Sequence, residues 1–142
     1  MGEVVLRTFA REVGWEVEVT SAGTANWNVG QLMDPRAQNA LRRAGFEDAG
    51  SPARFASAEY LERQDVVIVM TSEHRVDVVS RRGGSDNAVL LVRTLAGERH
   101  DLDLADPYYG DDHDFDSCLD VIIRACRELV QAHRPEDAPS AM

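Results

Sequence analysis

The 142-residue sequence has only two cysteines, Cys118 and Cys126. Both fall in one helical pattern near the C-terminus, and their spacing matches neither a zinc motif nor a disulfide framework. Such sparse, unpaired cysteine use fits a reducing cytoplasm. No run nears the roughly 18 apolar residues of a membrane span. Val4, Val5 and Leu6 are too few for the apolar segment of a signal peptide. Positive charge is also scarce. Lys and Arg total 15 against 25 Asp and Glu, a formal net charge of -10. That balance argues against binding nucleic acid through its phosphates. The basic doublets Arg42-Arg43 and Arg81-Arg82 read as solvated helix faces. There is no internal repeat and no glycine-rich phosphate loop. His74, His100, His113 and His133 are scattered and form no ligand pair. No nucleophile sits beside a base.

What remains is ordinary for one globular domain: 44% apolar and 28% charged residues. Val4, Val5, Phe9 and Val13 recur at helical spacing, so Met1 to Val13 reads as a helix. Gly14 breaks it. Trp15, Val17 and Val19 then alternate with Glu16, Glu18 and Thr20, the pattern of a half-buried strand. Ser21-Ala22-Gly23-Thr24 reads as a tight turn and Trp27-Asn28-Val29-Gly30 as an irregular loop. Asp34 caps a second helix with Pro35 at its first position, and Gly45 ends it. Ser57 caps a short helix through Arg63.

Val66–Met70 and Ala88–Val92 are continuous apolar runs, as in parallel strands covered on both faces. Between them Thr71 or Ser72 caps a helix through Val79, and Gly83-Gly84 turns the chain. Asp114 opens a long helix to about Ala132, with Phe115, Leu119, Ile122, Ile123, Cys126, Leu129 and Val130 as its buried stripe. Both cysteines lie near that stripe and read as packed thiols. The order implies an α/β sandwich with a mainly parallel sheet. Right-handed crossovers call for a strand ahead of the first helix, and none is present. Residues 1–132 form the domain, and 133–142, with two prolines, charges and small residues, read as a disordered tail.

One stretch carries chemistry. Ala105-Asp106-Pro107-Tyr108-Tyr109-Gly110 combines a carboxylate, a stiffening proline, two rings and a turn glycine. An acid that must hold a set distance from a reacting bond suits such a loop; so does an ordinary loop whose rings cap the core. Asp101, Asp103, Asp106, Asp111, Asp112, Asp114 and Asp116 lack the glycine and closing Glu of a calcium loop.

This stretch, together with Ser21 to Thr24, Trp27 to Gly30 and Asp34-Pro35-Arg36-Ala37, resembles the low-molecular-weight protein tyrosine phosphatases. The similarity runs from Met1 to about Val130. Members of that family begin with a strand and a phosphate-binding loop, Cys, five residues and Arg, followed by Ser-Pro-Met-Ala-Glu. Met1-Gly2-Glu3 is similar to the end of that phrase. The resemblance implies a phosphotyrosine protein phosphatase I-like three-layer sandwich. It implies two-step hydrolysis through a phosphocysteine, with Asp106 as general acid and then base. By the same resemblance Trp27, Asn28, Tyr108 and Tyr109 bind the substrate ring, and Ser21 supports the phosphate loop. No cofactor or metal is implied, and the substrate is a phosphotyrosine protein or a small aryl phosphate. Oligomeric state is left open.

Two departures stand out. The family often has His-basic-Ala-Arg where this chain has Ser51-Pro52-Ala53-Arg54, and Asp where it has Thr71. The extra redox cysteines of arsenate reductases of this fold are missing. The first strand and its nucleophile loop are expected to be absent from this chain, through a truncation, an internal Met taken as the start, or real loss. That absence would leave buried backbone groups unpaired at about 1–3 kcal/mol each, against a net stability of about 5–15 kcal/mol.

Overall fold

The computed structural model describes residues 1–48 and 50–133. The tail assignment for 134–142 lies outside the described residues. His133 itself is not part of a tail: it closes the last helix and stacks on Trp15, with centroids 5.3 Å apart and planes 13° apart.

The chain runs α1 (Gly2–Glu12), α2 (Pro35–Arg43), α3 (Ala58–Glu62), β1 (Val67–Val69), α4 (Ser72–Arg81), β2 (Val89–Leu91), α5 (Val92–Leu95), a 3₁₀ turn (Pro107–Tyr109) and α6 (Asp112–His133). Local chemistry explains most boundaries. Asp34 accepts from the Arg36 amide ahead of Pro35, Ser57 from Tyr60, and Thr71 from His74, so three expected caps are made. Thr71 thus starts α4 where the family often has Asp, and Asp103 adds bonds from the Ser72 amide and hydroxyl at 2.7 and 2.9 Å. Gly45 follows α2 at φ 92°, a left-handed value that favours glycine.

α6 begins two residues earlier than Asp114. Asp111 accepts from the Asp114 amide, and Asp114 accepts from the Asp111 amide, both at 3.0 Å. Asp114 is therefore the second half of a reciprocal cap rather than the cap itself.

Two strands, β1 and β2, pair in parallel with Val67 opposite Val89. α6 is the spine of the main core, where it meets Val4 and Val5 of α1, Ala37, Ala40 and Leu41 of α2, and Val92. Ile68 and Met70 of the β1 run face this side. Val67 and Val69 face the other, against Leu61 and Val78. Alternate residues of one strand thus serve two helical layers, as a three-layer sandwich requires.

Four further expectations are corrected. Residues 15–20 form no strand: Glu16 and Glu18 are exposed and Trp15 and Val19 half-buried, but no described strand offers them a ladder. Alternation supplied the faces and could not supply the partner. The Val66–Met70 run is less covered than its composition implied. Only Val69 is buried and Val66 is 40% exposed, and among the described residues β1 is paired along one edge alone. Val92 leaves the second run to open α5. Ile123 is only half-buried, whereas Cys118, Val121 and Ala125 join the buried stripe of α6.

Candidate active site

The Asp106 loop is built as a small cap. Asp106 sits in extended backbone before Pro107, and its Oδ1 accepts from the Tyr108 amide at 3.0 Å. The Gly110 amide closes the turn on the Pro107 carbonyl at 2.7 Å. One carboxylate oxygen is thus tied to the loop, and the other has no partner among the described residues. Tyr108 and Tyr109 meet edge to face at 5.0 Å and stand out from the surface, Tyr109 almost completely. Solvent-facing phenol rings beside an exposed carboxylate can grip a flat group and give it a proton.

Trp27 and Asn28 lie on a second loop. The Gly30 amide donates to Ala53 and the Ala53 amide to Gln31, which fastens this loop to the 53–56 segment. Gly23 bridges Phe55 in the same place. Arg81 of α4 reaches across, donating to Thr24 and Ala56 carbonyls and lying over the Phe55 ring. Trp27 is 77% exposed and Asn28 half-buried. Among the described residues no hydrogen bond or ring contact joins Trp27 or Asn28 to Tyr108 or Tyr109.

Ser21 has a clear partner that sequence reasoning missed. Its hydroxyl donates to Glu3 at 2.8 Å, and Ser51 donates to the other Glu3 oxygen at 2.9 Å. Arg7 pairs with Glu3 at 2.9 Å, with Asp48 at 3.0 Å, and with the Val19 carbonyl. Glu3 is buried and, with Arg7, ties α1 to Val19, Ser21, Asp48 and Ser51. Ser51, standing where the family often has His, thus still braces this point. Burial pushes the Glu3 carboxyl up, but the bonds from Ser21, Ser51 and Arg7 together outweigh it and leave the group below its ordinary range. A carboxylate flanked by two serines was legible only as a family phrase, since its partners lie 18 and 48 residues away.

Replacing Glu3 with Ala is expected to cost about 2 kcal/mol, because it strips two hydroxyls of their acceptor and the half-buried Arg7 of one of its partners. The urea midpoint reads this, and an unchanged midpoint would mean the cluster adds no net stability. The folded carboxyl titrates below its unfolded value, so its contribution is complete above about pH 4.3 and fades as pH falls through the folded value. The Ala variant should lose that part of the acid dependence.

The thiols lie on the buried face of α6, where Cys118 is near enough to Asp106 for its charge to act on the thiol. Cys118 and Arg124 have the spacing Cys, five residues, Arg, a pattern the sequence reading passed over. Both lie inside α6, where amides serve the helix and cannot ring an anion. Burial pushes the Cys118 thiol up and the Cys126 thiol up to about 12. Arg124 pairs with Glu98 at 3.3 Å.

Comparison with known proteins narrows what this α/β sandwich, with an acid and two rings on a capped loop, can be. The model of the family "Low molecular weight phosphotyrosine protein phosphatase" matches residues 1–138. A low molecular weight protein-tyrosine-phosphatase of Streptomyces coelicolor is 31% identical over 143 residues, covering 96% of this chain and 86% of that protein. Low molecular weight protein-tyrosine phosphatase A of Mycobacterium tuberculosis is 35% identical over 114 residues, 79% of this chain and 68% of that one. Among solved structures, a low molecular weight phosphotyrosine phosphatase from Vibrio cholerae O395 superposes with a TM-score of 0.84 at 22% identity, over 96% and 88% of the two chains. The chain belongs to the low molecular weight phosphotyrosine protein phosphatase family.

Proposed function

We propose that this chain carries the acid and the aromatic walls of a protein-tyrosine phosphatase that works through a phosphocysteine. The supporting observation is the Asp106 cap: an exposed carboxylate held by one oxygen, beside two outward rings. In the first step a thiolate attacks phosphorus, the bond to the phenol oxygen breaks, and Asp106 gives that oxygen its proton. In the second, the Asp106 carboxylate takes a proton from water as it attacks the phosphocysteine, which releases phosphate and the thiolate. Trp27, Asn28, Tyr108 and Tyr109 hold the substrate ring. Ser21, fixed by Glu3, braces the phosphate loop. No cofactor or metal takes part, and two free cysteines fit the cytoplasm. No described helix is long and apolar enough to cross a membrane.

On this reading neither Cys118 nor Cys126, both buried along α6, is the attacking thiolate. The same observation favours a second reading, a non-catalytic protein that uses the aromatic surface to bind. Either reading needs the surface to recognise a phosphorylated ring. Millimolar phosphotyrosine is expected to shift the NMR signals of the Trp27 indole and the Tyr108 ring, with phosphoserine leaving them in place. Equal responses to the two, or none, would remove these side chains from substrate binding.

A further inference from the structure

Asp106 and Tyr108 are held from within their loop by one amide and one carbonyl, which is little for a segment that must present two groups together. The outer support comes from α2. Asp34 caps that helix through the Arg36 amide, and the same carboxylate takes the Arg36 side chain in a two-pronged contact, Nε at 3.2 Å and Nη2 at 2.8 Å. The Arg36 guanidinium holds the Asp34 carboxyl below its ordinary range. With two nitrogens fixed, the third, Nη1, points at the Asp106 loop and donates to the Gly110 carbonyl at 3.2 Å. The flat face of the group lies 4.7 Å from the Phe115 ring centre and 5.5 Å from that of Tyr108.

The far side of this contact is closed as well. A Cβ on Gly110 would lie 2.3 Å from Asp114 Oδ2 and 2.7 Å from Asp114 Cβ, so the loop backbone is wedged against the start of α6. Gly110 has an extended backbone, and the close approach is what demands glycine here. Asp114 is itself locked by its reciprocal cap with Asp111. The turn therefore sits between Arg36 and Asp114 with little freedom, and Tyr108 is oriented from the Arg36 side.

We propose that Arg36 is a positioning residue for the aromatic wall: clamped by Asp34, it fixes the Tyr108 ring and the Gly110 carbonyl, and so sets where a substrate ring can stack beside Asp106. This rests on the reading that Tyr108 lines the substrate pocket. The role needs a planar fork with three directed nitrogens and a stacking face. Lysine, a single point charge on a flexible stem, supplies neither.

The test compares Arg36→Lys and Arg36→Gln with the unaltered 142-residue chain, and adds Asp34→Asn, which loosens the fork while keeping the arginine. Far-UV circular dichroism and the ring signals of Tyr60, on α3, report whether the fold is kept. The expected result is that all three variants move the Tyr108 ring signals and the Gly110 amide with Tyr60 unchanged, that Lys does not rescue Gln, and that phosphotyrosine binds about twofold to fivefold more weakly, the worth of one exposed cation–ring contact. Tyr108 and Gly110 signals that stay in place in Arg36→Gln would overturn the proposal, as would a Lys variant indistinguishable from the unaltered chain. Equal phosphotyrosine binding by the Gln variant and the unaltered chain sinks the positioning role alone. Absence of binding to the unaltered chain sinks the pocket reading, and the substrate half of this proposal with it.

Discussion

Purified as the 142-residue chain, the protein is expected to release no phosphate from p-nitrophenyl phosphate above the buffer rate. A chimera with a strand and Cys-five-Arg loop from a family member placed ahead of Met1 is expected to hydrolyse it without added metal. The argument turns on the thiols. A nucleophilic cysteine must be largely ionised near neutral pH and must sit where backbone amides can hold the phosphate. Cys126 fails on the first count: with its thiol near 12, the thiolate fraction at pH 7 is on the order of 10⁻⁵. Cys118 fails on both, since it is buried and its surrounding amides belong to α6. What an ionised, amide-cradled thiolate supplies is large, because enzymes accelerate such reactions by at least about 10⁶-fold. Release of phosphate is measured colorimetrically, with Cys118→Ser as control. Turnover by the pure chain, lost in Cys118→Ser, would place the nucleophile inside α6 and overturn this account. A folded but inert chimera would count against the scaffold as a phosphatase.

In the active chimera, Asp106→Asn is expected to lower kcat on phenyl phosphate by about 10²- to 10⁴-fold, the usual worth of a general acid. On p-nitrophenyl phosphate the loss should be smaller, since that phenolate leaves with less need of a proton. The dependence on leaving group separates a proton donor from a residue that only shapes the loop. Asn keeps a side-chain oxygen able to accept from the Tyr108 amide, as Asp106 does, so the loop geometry is retained. A uniform loss across leaving groups would assign Asp106 a structural role, and no loss would remove it from the reaction.

Features governed by near neighbours could be read from the chain. Asp34-Pro35, Ser57 and Thr71 act within three residues, and each caps as expected. The stripe of α6, from Phe115 to Val130, repeats over about four turns and specifies one buried face. The loop from Asp106 to Gly110 carries its own cap, although the sequence showed only its stiffness and its turn glycine. What stayed hidden joins distant positions. Glu3 with Ser51, Arg36 with Gly110 and Arg81 with Thr24 span 48 to 74 residues, and nothing local marks them. Residues 15–20 show the converse limit. Their alternation describes the two faces of a strand, but a strand exists only where another backbone meets it.

That open stretch has a consequence for how the molecule behaves in solution. Among the described residues only the Val19 carbonyl, held by Arg7, is engaged along the 16–20 backbone, and the remaining N–H and C=O groups are a template on which a second molecule can add its own extended segment. The side chains exposed there include Val17, 40% accessible, flanked by Glu16 and Glu18. The two carboxylates act as gatekeepers: two such edges brought together would confront like charges. That repulsion reaches only about 8 Å at physiological ionic strength and about 3 Å in molar salt. Colloidal stability of the chain is therefore tied to ionic strength through two glutamates, at a place remote in sequence from every residue assigned to catalysis except Ser21.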